Sequence, residues 1–248
     1  MILVCNDDGV HAPGLAALAE ALAPLDRVFV VAPDREQSAA GHAITLSRPL
    51  RAELLREGWL AVDGTPTDCV NLAVNGLLDE RPWLVVSGIN RGANLGDDIT
   101  YSGTVSAAME AVLQGIPAIA VSQAGKSNFD YGAAACFAAN LCRVVKHSGL
   151  PDATLLNVNV PENRKGEGFV VTRQGRRRYG DAIVEKTDPR GRKYYWIGGD
   201  DLGFDDEPGT DLAAVHAGLV SVTPLHLDLT NHGSLGFLDD IQKTWAPD

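Results

Sequence analysis

The chain has no excess of positive charge. Its 248 residues carry 32 acidic against 21 basic side chains, a formal net charge of −11. A nucleic-acid footprint needs a basic face, so a DNA or RNA polymer is not expected as the main partner. There is no C-x-x-C pair among the four cysteines, Cys5, Cys69, Cys136 and Cys142. A zinc ribbon and a disulfide framework are both excluded, and the cysteines read as small buried hydrophobes. No His-x-x-x-His pair offers nitrogen ligands. No apolar run approaches the roughly 18 residues of a membrane span. The first apolar run stops at Asp7, which is unlike a signal peptide, and a soluble cytoplasmic protein is expected. Neither G-x-G-x-x-G nor G-x-x-x-x-G-K-[ST] occurs, which disfavours a nicotinamide dehydrogenase and a P-loop enzyme.

What is present is a core-forming pattern. Hydrophobic residues make up 45% of the chain. Ile2–Cys5, Arg27–Ala32, "WLVVSG", "AIAVS" and "TLLNVNVP" are short apolar runs that read as buried strands. Helices are predicted between them. The first opens at Pro13 and Gly14, with Leu15, Leu18, Ala19 and Leu22 on one face. A second starts at Thr65 as N-cap with Pro66 following. Others cover "VSAAMEAVLQG" and "YGAAACFAANLCRVVKHSG". Apolar strands alternating with helices imply an α/β fold: a mostly parallel sheet with helices on both faces. "ITLSRPLRAELL" and "WLAVDG" suggest a hairpin, and "INRGANLGDDITYSGT" a long loop. The pattern changes near Pro161. We expect a catalytic core over 1–161, and over 162–248 an extended hairpin, a returning strand and a last helix that lean on the core or on another subunit. The acidic "DDLGFDDEPGTD" and the triplet Arg176, Arg177 and Arg178 read as solvated loop and hairpin, the arginines alternatively as a subunit contact.

Ligands of a parallel sheet bind beyond the carboxyl ends of its strands. There the sequence places Asn6, Asp7, Asp8 and Gly9; then Asp34, Arg35, Glu36, Gln37 and Ser38; then Ser87, Gly88, Asn90, Asn94, Asp97 and Asp98. Asp7 and Asp8 point to opposite faces while the chain is a strand, and converge only where Gly9 lets it turn. Their repulsion calls for a hard cation, and oxygen donors without His or Cys suit Mg²⁺ or Mn²⁺. Ser102, Gly103 and Thr104 stand where a glycine-rich loop becomes a helix, a place that attracts phosphate. His11 and His42 lie on these loops and are expected in structural or solvent roles. A covalent aspartyl phosphatase wants D-x-D-G-[TV], whereas this chain reads N-D-D-G-V.

"NDDGVHAPG", "VVAPDREQSAAG", "GTPTDCV", "VSGINRGANLGDDITYSGTVSAAMEA", "DPRGRKYYWIGG", "GTDLAAVHAGLVSVTPL" and "VSVTPLHLDLT", in this order, resemble the SurE family along nearly the whole chain. The resemblance implies metal-dependent hydrolysis of nucleoside 5′- and 3′-monophosphates, with short polyphosphate as a side substrate. It implies one divalent ion per subunit on Asp7, Asp8, Ser38 and Asn90, and phosphate contacts from Asn94, Ser102, Gly103 and Thr104. Asp7, Asp8 and Asn94 then support the attack of water. It also implies a Rossmann-like, three-layer core and a C-terminal β-hairpin extension that builds a homodimer or homotetramer. The alternative is a non-catalytic nucleotide or phosphate sensor on the same fold.

Overall fold

The computed structural model describes residues 1–125, 129–179, 183–197 and 201–245. Thirteen strands and six α-helices follow in chain order. They are β1 (Ile2–Cys5), α1 (Pro13–Leu22), β2 (Val28–Pro33), β3 (Ala52–Arg56), β4 (Trp59–Val62), α2 (Pro66–Leu72), β5 (Leu84–Arg91), α3 (Gly103–Leu113), β6 (Ala118–Ala124), α4 (Gly132–Ser148) and β7 (Thr154–Pro161). Beyond these lie β8 (Phe169–Val171), β9 (Arg177–Tyr179), β10 (Ile183–Thr187), β11 (Lys193–Ile197), β12 (Asp201–Phe204), α5 (Asp211–His216), β13 (Val220–His226) and α6 (Leu235–Thr244).

Nine strands form one sheet in the order β3-β4-β2-β1-β5-β6-β7-β13-β8. Only the β3–β4 and β7–β13 pairs run antiparallel. The strands alternate their side chains between two apolar layers, as period two requires. Ile2 and Val4 of β1 join the layer of α1 and α4 with Leu15, Leu18, Ala138 and Cys142. Leu3 and Cys5 join the opposite layer of α2 and α3 with Val70, Val105 and Ala108. Thr65 caps α2 with a full capping box: its hydroxyl accepts from Asp68 N–H while the Asp68 carboxylate accepts from Thr65 N–H.

After β1 the chain builds β2 on one side, and then returns to place β5 on the other. The strand order therefore reverses between β1 and β5, and a crevice opens at their carboxyl ends. That single topological fact brings the loop after Cys5 to the end of Arg91.

The structure departs from expectation in four places. The region expected as a loop from Ile89 onward continues β5 to Arg91, then makes a 3₁₀ turn over Gly96–Tyr101. The pairing of β5 with β6 slips between Ser87 and Asn90, an irregularity that re-aims the strand end beside the crevice. The acidic stretch is not all solvated loop: it holds β12, and its last residue, Asp211, is the first of α5. Cys136 is exposed on α4 and is not a core residue, unlike Cys5, Cys69 and Cys142. The expected hairpin at 180–182 and 198–199, and residue 200 of the acidic stretch, lie outside the described residues. Among the described residues, no helix is long and apolar enough to cross a membrane.

Candidate active site

The turn after β1 is closed by its own side chain. Asn6 Nδ2 donates to the Gly9 carbonyl at 3.0 Å. Gly9 sits at φ +97°, and a Cβ there would come within 3.1 Å of the Arg35 backbone. Only glycine suits both the left-handed conformation and the close approach. The turn aims Asp7 and Asp8 into one cleft of about 670 Å³ at the switch point, which Ser38, Asn90, Asn94 and Ser102 also line. The Ser38 loop is fixed to the same turn, since Gln37 N–H donates to the Asp7 carbonyl at 2.8 Å.

Each carboxylate has a polar support. Thr104 Oγ1 donates to Asp7 Oδ1 at 2.5 Å, and Arg91 N–H donates to Asp8 Oδ2 at 3.0 Å. These bonds do not offset the burial. Desolvation, with the neighbouring Asp8 charge adding to it, pushes the Asp7 carboxyl up to about 6 against the pull of Thr104. Asp8 is raised as well, by burial and by Glu36. Two adjacent carboxyls, both raised above the ordinary carboxylate range, would be relieved by a cation between them. The remaining donors fit one. Asn90 Nδ2 is tied to the Gly92 carbonyl at 3.0 Å, which leaves its Oδ1 with no hydrogen-bond partner among the described residues. The Ser38 hydroxyl hydrogen goes to Glu36 at 2.5 Å, which leaves the oxygen lone pairs. Two carboxylates, an amide oxygen and a hydroxyl are the hard donor set of Mg²⁺ or Mn²⁺.

The helix start divides its work. Ser102 is the N-cap of α3: its Oγ accepts from Val105 N–H at 3.1 Å while the residue faces the cleft. Thr104 is fully buried and does not line the cleft; its hydroxyl serves Asp7. A Cβ on Gly103 would stand 2.7 Å from Asp7 Cβ, so this glycine is the space in which Asp7 sits. Of the four residues expected on phosphate, Asn94 and Ser102 therefore line the cleft, and Gly103 and Thr104 stand behind the carboxylate.

Residues missed by sequence reasoning complete the site. Asp211, fully buried, accepts from Gly96 N–H (2.9 Å), Gly175 N–H (2.8 Å) and Leu212 N–H (2.8 Å). It thereby fastens the loop that follows Asn94. Arg177, expected on a solvated hairpin or at a subunit contact, pairs with Asp98 at the cleft rim. Arg178 does pair at the surface, with Asp205 at 2.7 Å. His42 lies on the buried Glu110 at 3.2 Å, a structural role, and His11 is exposed. Arg91, Phe129 and Tyr131 form a wall of the cleft, the guanidinium 5.3 Å from the Phe129 ring and the two rings stacked at 6.0 Å.

The comparisons with known proteins bear on the family and the fold. The family profile described as "Survival protein SurE" matches residues 2–181. The "5'-nucleotidase SurE" of Syntrophotalea carbinolica is 61% identical over 250 residues, covering 100% of both chains. That of Geobacter metallireducens is 62% identical, covering 98% of this chain and 96% of its own. The crystal structure of the SurE protein from Aquifex aeolicus superposes with a TM-score of 0.86 at 46% identity, over 97% of this chain and 99% of that one. With the sheet order, the strand-end carboxylates and these full-length relatives in agreement, the chain belongs to the SurE family.

Proposed function

We propose that the cleft hydrolyses nucleoside 5′-monophosphates to nucleoside and phosphate, using a divalent cation held by Asp7, Asp8, Ser38 and Asn90. The single observation that carries this reading is the convergence of those four oxygen donors, with Asn94 and Ser102, on one cleft at the switch point. The relatives at about 60% identity over their full length bear the name 5′-nucleotidase, which supports the reaction class. A bound Mg²⁺ or Mn²⁺ supplies Lewis acidity toward a phosphate oxygen and lowers the pKa of water.

The protein's own groups do the rest. Asp7 and Asp8 together bring −2, which one divalent charge neutralises. Thr104 and the Arg91 N–H hold their orientation. Either carboxylate can accept the proton released by the attacking water. Asn94, which lines the cleft, holds the phosphate or the leaving oxygen. The start of α3 at Ser102 places a positive dipole end beside the phosphoryl oxygens. Nucleoside 3′-monophosphates and short polyphosphate present the same terminal phosphate and are secondary substrates. Copies associate through the C-terminal extension of residues 162–248.

The test is a panel of nucleoside 5′- and 3′-monophosphates with Mg²⁺, Mn²⁺ or EDTA, with released phosphate measured. Turnover of 5′-monophosphates that needs the ion and stops in EDTA is expected. Absence of metal-dependent release from every nucleotide overturns the reading.

A further inference from the structure

Asn94 belongs to a loop, yet it is fixed on three sides by residues of two other strands. Its backbone N–H donates to Asn159 Oδ1 at 2.9 Å. Its carbonyl accepts from Asn157 Nδ2 at 2.9 Å and from Asn159 Nδ2 at 3.0 Å. Its own Nδ2 donates to Ser122 Oγ at 2.8 Å. Asn157 and Asn159 stand two apart on β7 and so share a face. Ser122 on β6 is in register with Asn159 on one side and with Asn90 of β5 on the other. All three supporting residues are fully buried.

Sheet packing does not ask for these polar groups. Leu155, Val158 and Val160 of the same strand are buried hydrophobes, and apolar side chains would satisfy the layer equally. Asn157 even keeps a buried Oδ1 without a partner while its amide serves Asn94. A buried unsatisfied oxygen is unfavourable and calls for an explanation. After these bonds Asn94 retains its second Nδ2 hydrogen and its Oδ1, neither with a partner among the described residues, at a residue that lines the cleft.

We propose that Ser122 and Asn159, with Asn157, are positioning residues that preset Asn94 toward the substrate: the asparagines fix its main chain and Ser122 fixes its carboxamide. A preset group needs no reorganisation when charge develops, and small misplacements are costly to rate. The inference rests on the reading that Asn94 touches the phosphate or leaving oxygen.

The experiment is a double-mutant cycle. Ser122→Ala, Asn94→Ala and the pair are assayed on a nucleoside 5′-monophosphate, with Mn²⁺ affinity and Tm measured on each. Ser122→Ala is expected to lower kcat/KM about tenfold and Asn94→Ala about a hundredfold or more. In the Asn94→Ala background the serine change should add less than about twofold, because its route to the substrate is gone. Mn²⁺ affinity should stay within about twofold of wild type throughout. Should Ser122→Ala not fold, Ser122→Cys fills the same space with a weak acceptor, and the same pattern is expected. A serine variant as active as wild type overturns the inference, and so does an equal loss in both backgrounds. If Asn94→Ala itself turns over like wild type, the reading of Asn94 falls and takes this inference with it.

Discussion

Asp7 and Asp8 are each supported by one short polar contact and each displaced from the ordinary carboxylate range by burial. Replacing either with Asn keeps the shape and removes a charge that the cation needs. Asp7→Asn and Asp8→Asn are therefore expected to lose at least about a hundredfold in metal-dependent turnover. Their circular dichroism spectra should match wild type, and near-normal phosphate release from either variant would count against the ligand assignment. Thr104 allows a finer test. Because its hydroxyl meets Asp7 and not the cleft, Thr104→Val should weaken Mn²⁺ binding about tenfold, as loss of a supporting hydrogen bond does. Thr104→Ser keeps the hydroxyl and should bind Mn²⁺ within about twofold of wild type. Titration with Mn²⁺ decides it: a Val variant that binds the ion normally but is poorly inhibited by free phosphate would return Thr104 to the ligand.

At the scale of elements, two carboxylates act as clasps. Asp211 joins the head of α5 to the loop after Asn94 and to Gly175. Asp211→Ala leaves three backbone N–H groups without their acceptor, a loss of about 3 kcal/mol, or roughly 6–12 °C in Tm for a chain of this size. Asp211→Asn retains an acceptor oxygen, and thermal unfolding should show a smaller fall. Asp26 closes the opposite end of the sheet. It accepts from Arg27 N–H at 2.7 Å and Trp83 Nε1 at 3.0 Å, and faces Lys146 and the N-terminal amine at 3.3 Å each. These partners, the Arg27 N–H first, hold its carboxyl well below the usual range. A carboxyl lowered on folding stabilises fully above its unfolded value of about 3.9, and the stabilisation is lost as pH falls below it. Asp26→Asn should thus melt below wild type at pH 7 and at pH 5, and the gap should narrow by pH 2.5. A gap that is constant with pH would assign the effect to packing.

The same elements show what could be read from the chain alone. The parallel core was legible because β1, β2, β5, β6 and β7 are rich in apolar residues, as a strand buried on both faces requires. The cleft was legible because strand ends are where polar residues collect. Asp211 was not, since a carboxylate that accepts from the Gly96 N–H, 115 residues away, looks like any other acid in an acidic stretch. The roles of Gly103 and Thr104 were hidden for a related reason. A glycine and a hydroxyl at a helix start signal phosphate binding in general, and only the packing of α3 against β1 turns them toward Asp7. A usable sign was present in "TLLNVNVP", where two asparagines interrupt an apolar strand at the spacing of one face.

At the scale of the molecule, apolar surface gathers at the C-terminal end. Ile183, Tyr195, Trp196 and Ile197 are exposed on the β10–β11 hairpin, and Phe237, Leu238 and Trp245 on and just after α6. Exposed large apolar side chains gathered in one part of a chain suggest a surface that is covered in an assembly. We propose that they are covered by a second copy, and sedimentation velocity should find a dimer or tetramer. Trp196→Glu with Ile197→Glu should shift the species toward monomer, and a wild-type chain that sediments as a monomer at micromolar concentration removes the proposal. Meanwhile β13 is an inner strand of the sheet, paired to β7 and β8.

The Asp211 clasp also sets an order of events during synthesis. Gly96 and Asp211 are 115 residues apart. At about 5–20 residues per second, the ribosome needs roughly 6–23 seconds to go from one to the other. Throughout that interval the nascent chain already holds Asp7, Asp8, Ser38, Asn90 and Asn94, but the Gly96 N–H still lacks its carboxylate acceptor. The polar residues that line the cleft are therefore all synthesised before the carboxylate that fastens the loop beside them.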